Sequence, residues 1–391
     1  MTRGFTKEER LLRVINREKV DYLPSHINIA DRARYGEISR ALGLDSADEL
    51  DDFLENHMHF TITLHDKPMF FRDVRDEIDK LHMDGYANPD WDNNIVYDDW
   101  GIGIRVGVGS FFTTFHPLEG KADDSVVDFM PDWLDRKALF ASTIEERIRA
   151  YQPPDPHKAG NFRDWENDLE EYSGDFLVWP SGYVGIYEKT FHLTGFENFM
   201  LLMADHSKAI EELLDKVTDY KVEIAKKAVQ LGFKIAHTGD DLGTQRGSIF
   251  SEEMFKTMLL PRLKRHWEVF TNAGIPIIFH SCGDITSYIP HLIDIGMTIL
   301  EPLQPVMDFN FLKREYGKDL IFFGGIDTQV LPFIGAEETR KLTRDTIHTL
   351  GRGGGYIIMP SQEIMNDVPL ENIKVMVETI REEREKVLEL S

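Results

Sequence analysis

The stretch IPIIFHSCGD, Ile275 to Asp284, decides how the rest of the chain is read. Ile275, Ile277, Ile278 and Phe279 form an apolar run of the length of a buried strand. The run ends in His280, Ser281, Cys282 and Gly283, so an imidazole and the chain's single cysteine stand two residues apart where a strand gives way to a loop. Gly283 eases the turn that lets both side chains converge on one point. An imidazole nitrogen and a thiolate sulfur together suit zinc. Taken alone, H-x-C is a short pattern that a buried histidine and a buried free cysteine also produce.

On either side the same arrangement recurs. Phe176 to Trp179 is a short apolar run ending in Pro180-Ser181-Gly182-Tyr183, and Phe233 to Ala236 ends in His237-Thr238-Gly239-Asp240-Asp241. Ile299-Leu300 leads to Glu301, Leu320 to Phe323 leads to Gly324-Gly325-Ile326-Asp327, and Tyr356 to Ile358 leads to Met359-Pro360-Ser361-Gln362. Helical periodicity fills the gaps: Ala209 to Val229, Ser251 to Ala273, Ile285 to Ile295, Phe309 to Tyr316, Ala336 to Leu350, and a last helix from Leu370. Strands apolar on both faces, alternating with helices and delivering polar groups at their C-terminal ends, predict a parallel sheet covered by helices. Six such units, with an earlier strand within Val20 to Ile29, predict an α/β fold of the (β/α)8 TIM-barrel type. Barrel sites lie at the C-terminal ends of the strands. His26, Tyr183, Asp240, Asp241, His280, Cys282, Glu301, Asp327 and Gln362 are therefore expected to meet.

The first part of the chain is less regular. Thr6 to Asn16 reads as a helix, capped by Thr6 with Glu9 in capping-box position. Residues 85–135 are rich in aromatics and glycine, and Asp98-Asp99-Trp100-Gly101 with Gly103, Gly107 and Gly109 predict antiparallel strands forming a lid or insertion. These glycines do not follow the G-x-G-x-x-G pattern of a dinucleotide site. His57, His59 and His65 are read as structural or exposed. Tyr151 to Gly160 holds Pro153, Pro154 and Pro156 and is a surface connection. Residues 1–391 are expected to form one domain, with 1–160 an N-terminal helical and β extension carrying the lid and 161–391 the core barrel units.

Composition excludes several functions. Of 391 residues, 44 are Lys or Arg and 68 are Asp or Glu, a net charge of −24, which repels nucleic-acid phosphates. Hydrophobic content of 42% with 29% charged residues is that of a soluble globular protein. One cysteine allows no intrachain disulfide and fits a reducing compartment. No apolar run approaches the ~20 residues of a membrane-spanning helix, and the N-terminus lacks a signal-peptide core. A cytoplasmic protein without nucleic-acid or membrane partners is expected.

From Phe176 onward the chain resembles the uroporphyrinogen decarboxylase superfamily. The motifs are GDDLGTQ (Gly239 to Gln245), FHSCGD (Phe279 to Asp284), ILEPLQ (Ile299 to Gln304), FFGGIDTQ (Phe322 to Gln329) and the GGGYII…DVPLENI ending (Gly353 to Ile373). The resemblance implies a barrel and either a metal-free decarboxylase or a zinc- and corrinoid-dependent methyltransferase, of the O-demethylase methyltransferase I or methylcobalamin:coenzyme M type. The decarboxylase proper carries an arginine-rich R-Q-A-G-R loop; Pro24-Ser25-His26-Ile27-Asn28 stands in that region here. The H-x-C pair is similar to the methyltransferases' zinc motif, which implies His280 and Cys282 as ligands. Those enzymes take a further cysteine from the end of the last strand, where this chain has Gln362. Related sequences commonly have asparagine at the position of Glu301. Glu301 is therefore expected as the third, anionic ligand, with Gln362 or Glu363 as the alternative.

A site with one thiolate is harder and more Lewis-acidic than a thiolate-rich one, and suits activating an ether oxygen or an amine nitrogen. The expected reaction is transfer of methyl from a small methylated donor, an aryl methyl ether first, to the Co(I) corrinoid of a carrier protein. Asp240 or Asp241 would supply a proton and Asp327 would orient substrate. His26, Trp179, Tyr183, Gln245 and Gln362 are the expected substrate contacts. Uroporphyrinogen-decarboxylase-like decarboxylation and methylcobalamin:thiol methyl transfer are the alternatives. The expected partners are the methyl donor and the carrier, with a homodimer allowed.

Overall fold

The computed structural model describes residues 4–30, 35–44, 48–107, 113–182 and 184–390. Five strands, Ala236–Gly239, Ile277–His280, Met297–Leu303, Ile321–Ile326 and Tyr356–Pro360, form one parallel sheet in chain order. Met58–Thr61 and Leu177–Pro180 form a second parallel pair, in the register Phe60 to Trp179. The segment expected as the first strand, within Val20 to Ile29, is reduced to bridges, yet it stitches the two sheets together. Ser25 bridges in parallel to both Ile358 and Asn56, and the His26 N–H donates to the Ile358 carbonyl at 2.9 Å. Pro24, which has no N–H to give, stands beside that bridge and limits the ladder.

Between Leu177–Pro180 and Ala236–Gly239 no backbone ladder is formed among the described residues. Here loop backbone is pressed onto the second strand. A Cβ on Gly182 would lie 1.7 Å from the His237 carbonyl oxygen, and one on Gly185 would lie 1.9 Å from that of Gly239. Only glycine permits that approach.

Period-two alternation puts Ile278 and His280, Ile299 and Glu301, Ile321 and Phe323, Ile357 and Met359 on one face of the sheet. The aliphatic members pack with Leu177, Trp179 and Met58 in a distinct core cluster. Leu11, Val14 and Ile15 of the N-terminal helix Lys7–Ile15 join that cluster. The helix is capped as its sequence predicts, with the Thr6 hydroxyl and the Glu9 carboxylate each accepting the other's backbone N–H. The opposite face carries the outer helices, chiefly Lys208–Leu231, Leu260–Asn272, Ala336–Gly351 and Leu370–Glu383.

Antiparallel structure occurs around Gly101, Gly103 and Gly107, as strands Ala87–Asp90, Ile95–Asp98, Gly103–Arg105 and Thr113–Phe115, while Gly109 lies outside the described residues. Tyr97 meets Phe115 across the sheet edge-on, centroids 5.6 Å apart, and stacks on Phe129 of the following segment at 5.5 Å. His57 and His65 are structural: His57 meets Arg10, and His65 is held between Tyr220 and Asp99. Among the described residues no helix is long and apolar enough to cross a membrane.

Candidate functional site

The polar groups on the inner face of the sheet meet at the C-terminal ends of three adjacent strands. His280 ends its strand in register with Glu301 on one side and Gly239 on the other. Parallel pairing therefore sets an imidazole beside a carboxylate, and His280 Nδ1 lies 2.7 Å from Glu301 Oε2. The other ring nitrogen, Nε2, faces Cys282 Sγ at 3.8 Å and Asp241 Oδ1 at 3.5 Å. Asp241 is drawn in because its Oδ1 accepts the Cys282 backbone N–H at 2.8 Å. Gln362 closes the group, its Nε2 3.3 Å from the sulfur. The Cys282–Gly283 turn is pinned by Gln304, whose Oε1 accepts the Gly283 N–H at 2.7 Å.

The expected trio His280, Cys282 and Glu301 is thus divided between the two sides of one ring. Two sets of potential ligands result: Asp241, His280 and Cys282, and His237, His280 and Glu301. In the second set the histidines have a defined order. The Gly182 N–H donates to His237 Nδ1 at 2.9 Å, so the proton of a neutral His237 sits on Nε2, which is 3.7 Å from Glu301. Glu301 is flanked by two imidazoles and buried. Burial alone would raise its carboxyl, but His280 and His237 hold it down at about 2. Burial likewise opposes charge on His280, and Glu301 with Asp241 overcomes this and holds it well above the usual imidazole range. Burial raises the Cys282 thiol, and His280 offsets part of that rise.

The remaining expected residues have diverse surroundings. Asp240 is buried and its two oxygens accept the Ile186 and Glu188 backbone N–H groups, both at 2.9 Å, capping the helix Ile186–Thr194. Burial pushes its carboxyl up to about 7 against those hydrogen bonds. Asp327 accepts the Gln329 N–H at 2.9 Å and so holds its own turn. His26 is buried edge-on to Trp179 and Phe323, and burial pulls it down to about 4. Trp179 is fully buried against His26, Phe60 and His237, so it backs the polar layer and does not line an open surface. Gln245 is exposed at the tip of the hairpin Gly243–Thr244 with Gly247–Ser248. Tyr183 lies outside the described residues. Gln362 and Glu363 line a cleft of about 360 Å³ beside the cluster.

Three residues of the site had no role assigned from sequence. His237 shares the inward face with Ile235, a period-two signal that was available. Gln304 stands in the ILEPLQ motif. Glu188 lies on the first turn of the helix that Asp240 caps, and burial with Asp241 and Asp240 nearby raises its carboxyl well above the usual range. Only the fold could bring Glu188 to this end of the sheet.

Residues 190–383 match the family model described as uroporphyrinogen decarboxylase (URO-D). The chain is 22% identical over 190 residues to a uroporphyrinogen decarboxylase from Hydrogenobaculum sp. (strain Y04AAS1), covering 48% of this chain and 52% of that protein. The match therefore spans about half the length of this curated relative. Among solved structures, a methyltransferase from Methanosarcina mazei superposes with a TM-score of 0.58 at 17% identity, over 97% of this chain and 99% of that one. A B12-independent methionine synthase from Shewanella sp. W3-18-1 overlaps over 57% of this chain and 67% of its own, with a TM-score of 0.40 at 16% identity. The resemblance carried by the sequence motifs is the one the family model and the curated relative return, and the Methanosarcina superposition shows a shared fold over 97% of this chain.

Proposed function

We propose that this URO-D-type chain is a methyltransferase that takes methyl from a small methylated donor, an aryl methyl ether first, and delivers it to the Co(I) corrinoid of a carrier protein. We read the two sheets as one (β/α)8 barrel whose site is the His280 cluster, with the antiparallel sheet of 87–115 as its lid. The observation that carries the reading is the arrangement of Asp241 and Cys282 around His280 Nε2.

That donor set fits zinc. Bonds of about 2.0–2.3 Å at tetrahedral angles separate donor atoms by about 3.3–3.6 Å. His280 Nε2 stands 3.5 Å from Asp241 Oδ1 and 3.8 Å from Cys282 Sγ, close to those separations without rearrangement. Asp241, His280 and Cys282 would hold the ion. When bound, it supplies Lewis acidity at the ether oxygen.

The chain's own residues do the rest. Glu301 accepts a hydrogen bond from His280 Nδ1, which fixes the ring with Nε2 towards Asp241 and Cys282; an ion bound there would displace the Nε2 proton and take its lone pair. His237, itself oriented by the Gly182 N–H, holds Glu301 from the other side. Gln362 donates to the Cys282 sulfur, and Gln304 fixes the loop that carries it. When the methyl leaves an aryl ether, its bonding pair stays on oxygen and the phenolate needs a proton. Glu188, whose carboxyl burial together with Asp241 and Asp240 raises well above the usual range, is the proton donor this reading assigns. Asp240 holds in place the helix that carries Glu188.

The test is elemental zinc analysis with a methyl-transfer assay, on wild type and the Asp241→Asn, Cys282→Ala and His280→Ala variants. Near-equimolar zinc in wild type, depleted in all three variants, with methyl transfer lost in parallel, supports the reading. A wild type that takes up no zinc on reconstitution overturns the zinc assignment.

A further inference from the structure

The GDDLGTQ and FHSCGD segments, which carry two of the proposed ligands, are locked together through their backbones. They continue from the adjacent strands Ala236–Gly239 and Ile277–His280 and stay paired beyond the strand ends. Hydrogen bonds cross between them in both directions. The Cys282 N–H donates to Asp241 Oδ1 at 2.8 Å, and the Leu242 N–H donates to the Ser281 hydroxyl at 2.9 Å. The Gly243 N–H donates to the Cys282 carbonyl at 3.2 Å, and the Asp284 N–H to that of Thr244 at 3.0 Å.

Contact this close requires that neither chain carry a side chain at the crossing. A Cβ on Gly243 would lie 2.6 Å from the Gly283 carbonyl carbon, and one on Gly283 would lie 2.2 Å from that of Gly243. Gly283 also has a φ of 81°, which favours glycine. The obstacles are backbone atoms, which cannot swing aside as the end of a side chain can. The hairpin that continues from Gly243 is itself braced. The Thr244 hydroxyl accepts the Arg246 N–H at 3.0 Å and donates to the Gly247 carbonyl at 2.8 Å. Farther along, the Ser248 and Ser287 hydroxyls meet at 2.7 Å, and the Tyr288 hydroxyl accepts the Phe250 N–H at 3.2 Å. The two loops therefore move as one body.

We infer that Gly243 and Gly283 are positioning residues, whose close approach sets the spacing of Asp241 and Cys282 around His280 before any ion arrives. The inference rests on the zinc reading of those residues. None of the four crossing hydrogen bonds uses the Cys282 sulfur, and a carboxylate that accepts one N–H keeps further lone pairs. Both groups can therefore take an ion with the lock closed. Ligands already held at their bound spacing lose less affinity to loop ordering.

The experiment measures zinc affinity by chelator competition, and thiolate-to-metal absorption of the cobalt(II) form, in wild type, Gly243→Ala, Ser281→Ala and Gly296→Ala. Gly296 precedes the strand that carries Glu301. It has a φ of 113°, and a Cβ there would lie 2.5 Å from Thr271 Cγ2, so Gly296→Ala strains the fold without touching the lock. Gly243→Ala is expected to weaken zinc binding at least about tenfold and to reduce the absorption. Ser281→Ala, which removes only the acceptor for Leu242, should weaken binding by less, and Gly296→Ala should change neither readout. Hydrogen exchange resolved at Gly243 and Asp284 is expected to be slow in metal-free wild type. Wild-type affinity in Gly243→Ala, or an equal loss in Gly296→Ala, overturns the inference and leaves the zinc site standing. So does fast exchange at both amides that slows only when zinc is added, a result that holds even if Gly243→Ala fails to fold. Wild type that binds neither zinc nor cobalt overturns the zinc reading, and with it the positioning role.

Discussion

Glu301 holds His280 by its Nδ1 nitrogen, Oε2 to Nδ1 being 2.7 Å, and so stands on the side of the ring away from Cys282. On the proposed zinc reading the carboxylate would support the histidine, while Asp241 and Cys282 share its other side. Partners of this kind fix the tautomer of a metal-bound histidine and strengthen it as a donor.

Glu301→Gln should then retain zinc at saturating metal but weaken its affinity by roughly 10–100-fold, the range typical for loss of such a partner. Asp241→Asn and Cys282→Ala remove proposed ligands and should weaken it further. Competition with a fluorescent zinc chelator ranks the four proteins. If Glu301→Gln is the weakest of them, Glu301 is a ligand after all.

The depressed carboxyl of Glu301 also predicts a pH dependence in the metal-free protein. Its folded value of about 2 lies below the ordinary 4.5. The unfolded chain therefore takes up the proton first as pH falls. Glu301 contributes stability above about pH 4.5 that is lost as pH falls towards 2. Urea unfolding of wild type against Glu301→Gln should show a difference at pH 6 that narrows through this window. A difference that widens on acidification would contradict the assigned charge state.

Asp240 should behave as a cap. Both its oxygens accept N–H groups at the start of Ile186–Thr194. Asp240→Ala is expected to cost about 1–2 kcal/mol in chemical denaturation, the usual range for a lost cap, with zinc content unchanged. Loss of zinc without loss of stability would make Asp240 part of the site proper.

Gln362→Cys would bring a second sulfur to Cys282, which Gln362 Nε2 approaches to 3.3 Å. Under reducing conditions the cobalt(II)-substituted variant should show stronger thiolate-to-metal absorption and higher metal affinity than wild type, because a softer ligand joins the set. Unchanged absorption would mean that residue 362 does not reach the ion.

Much of this site was legible along the chain because parallel strands deliver their polar residues at their C-terminal ends. His280, Cys282, Asp241 and Gln362 are read that way, and the structure gathers them. What period and motif do not carry is which side of a side chain faces which neighbour. Glu301 was placed beside His280 by register, but its choice of Nδ1 over the space near Cys282 depends on the pleat and on His237. Asp240 caps the helix that precedes it by some fifty residues, a contact set by the Gly182 and Gly185 approach and not by local sequence. The Val20 to Ile29 segment was expected as a strand and forms only bridges, because Pro24 interrupts its donors.

The most direct measurement is the spectral change of Co(I) cobalamin mixed with 1,2-dimethoxybenzene and the zinc-loaded protein. The account predicts zinc-dependent formation of methylcobalamin with release of 2-methoxyphenol, abolished in Cys282→Ala. Zinc-loaded wild type that binds methylated donors but leaves Co(I) unchanged would contradict it.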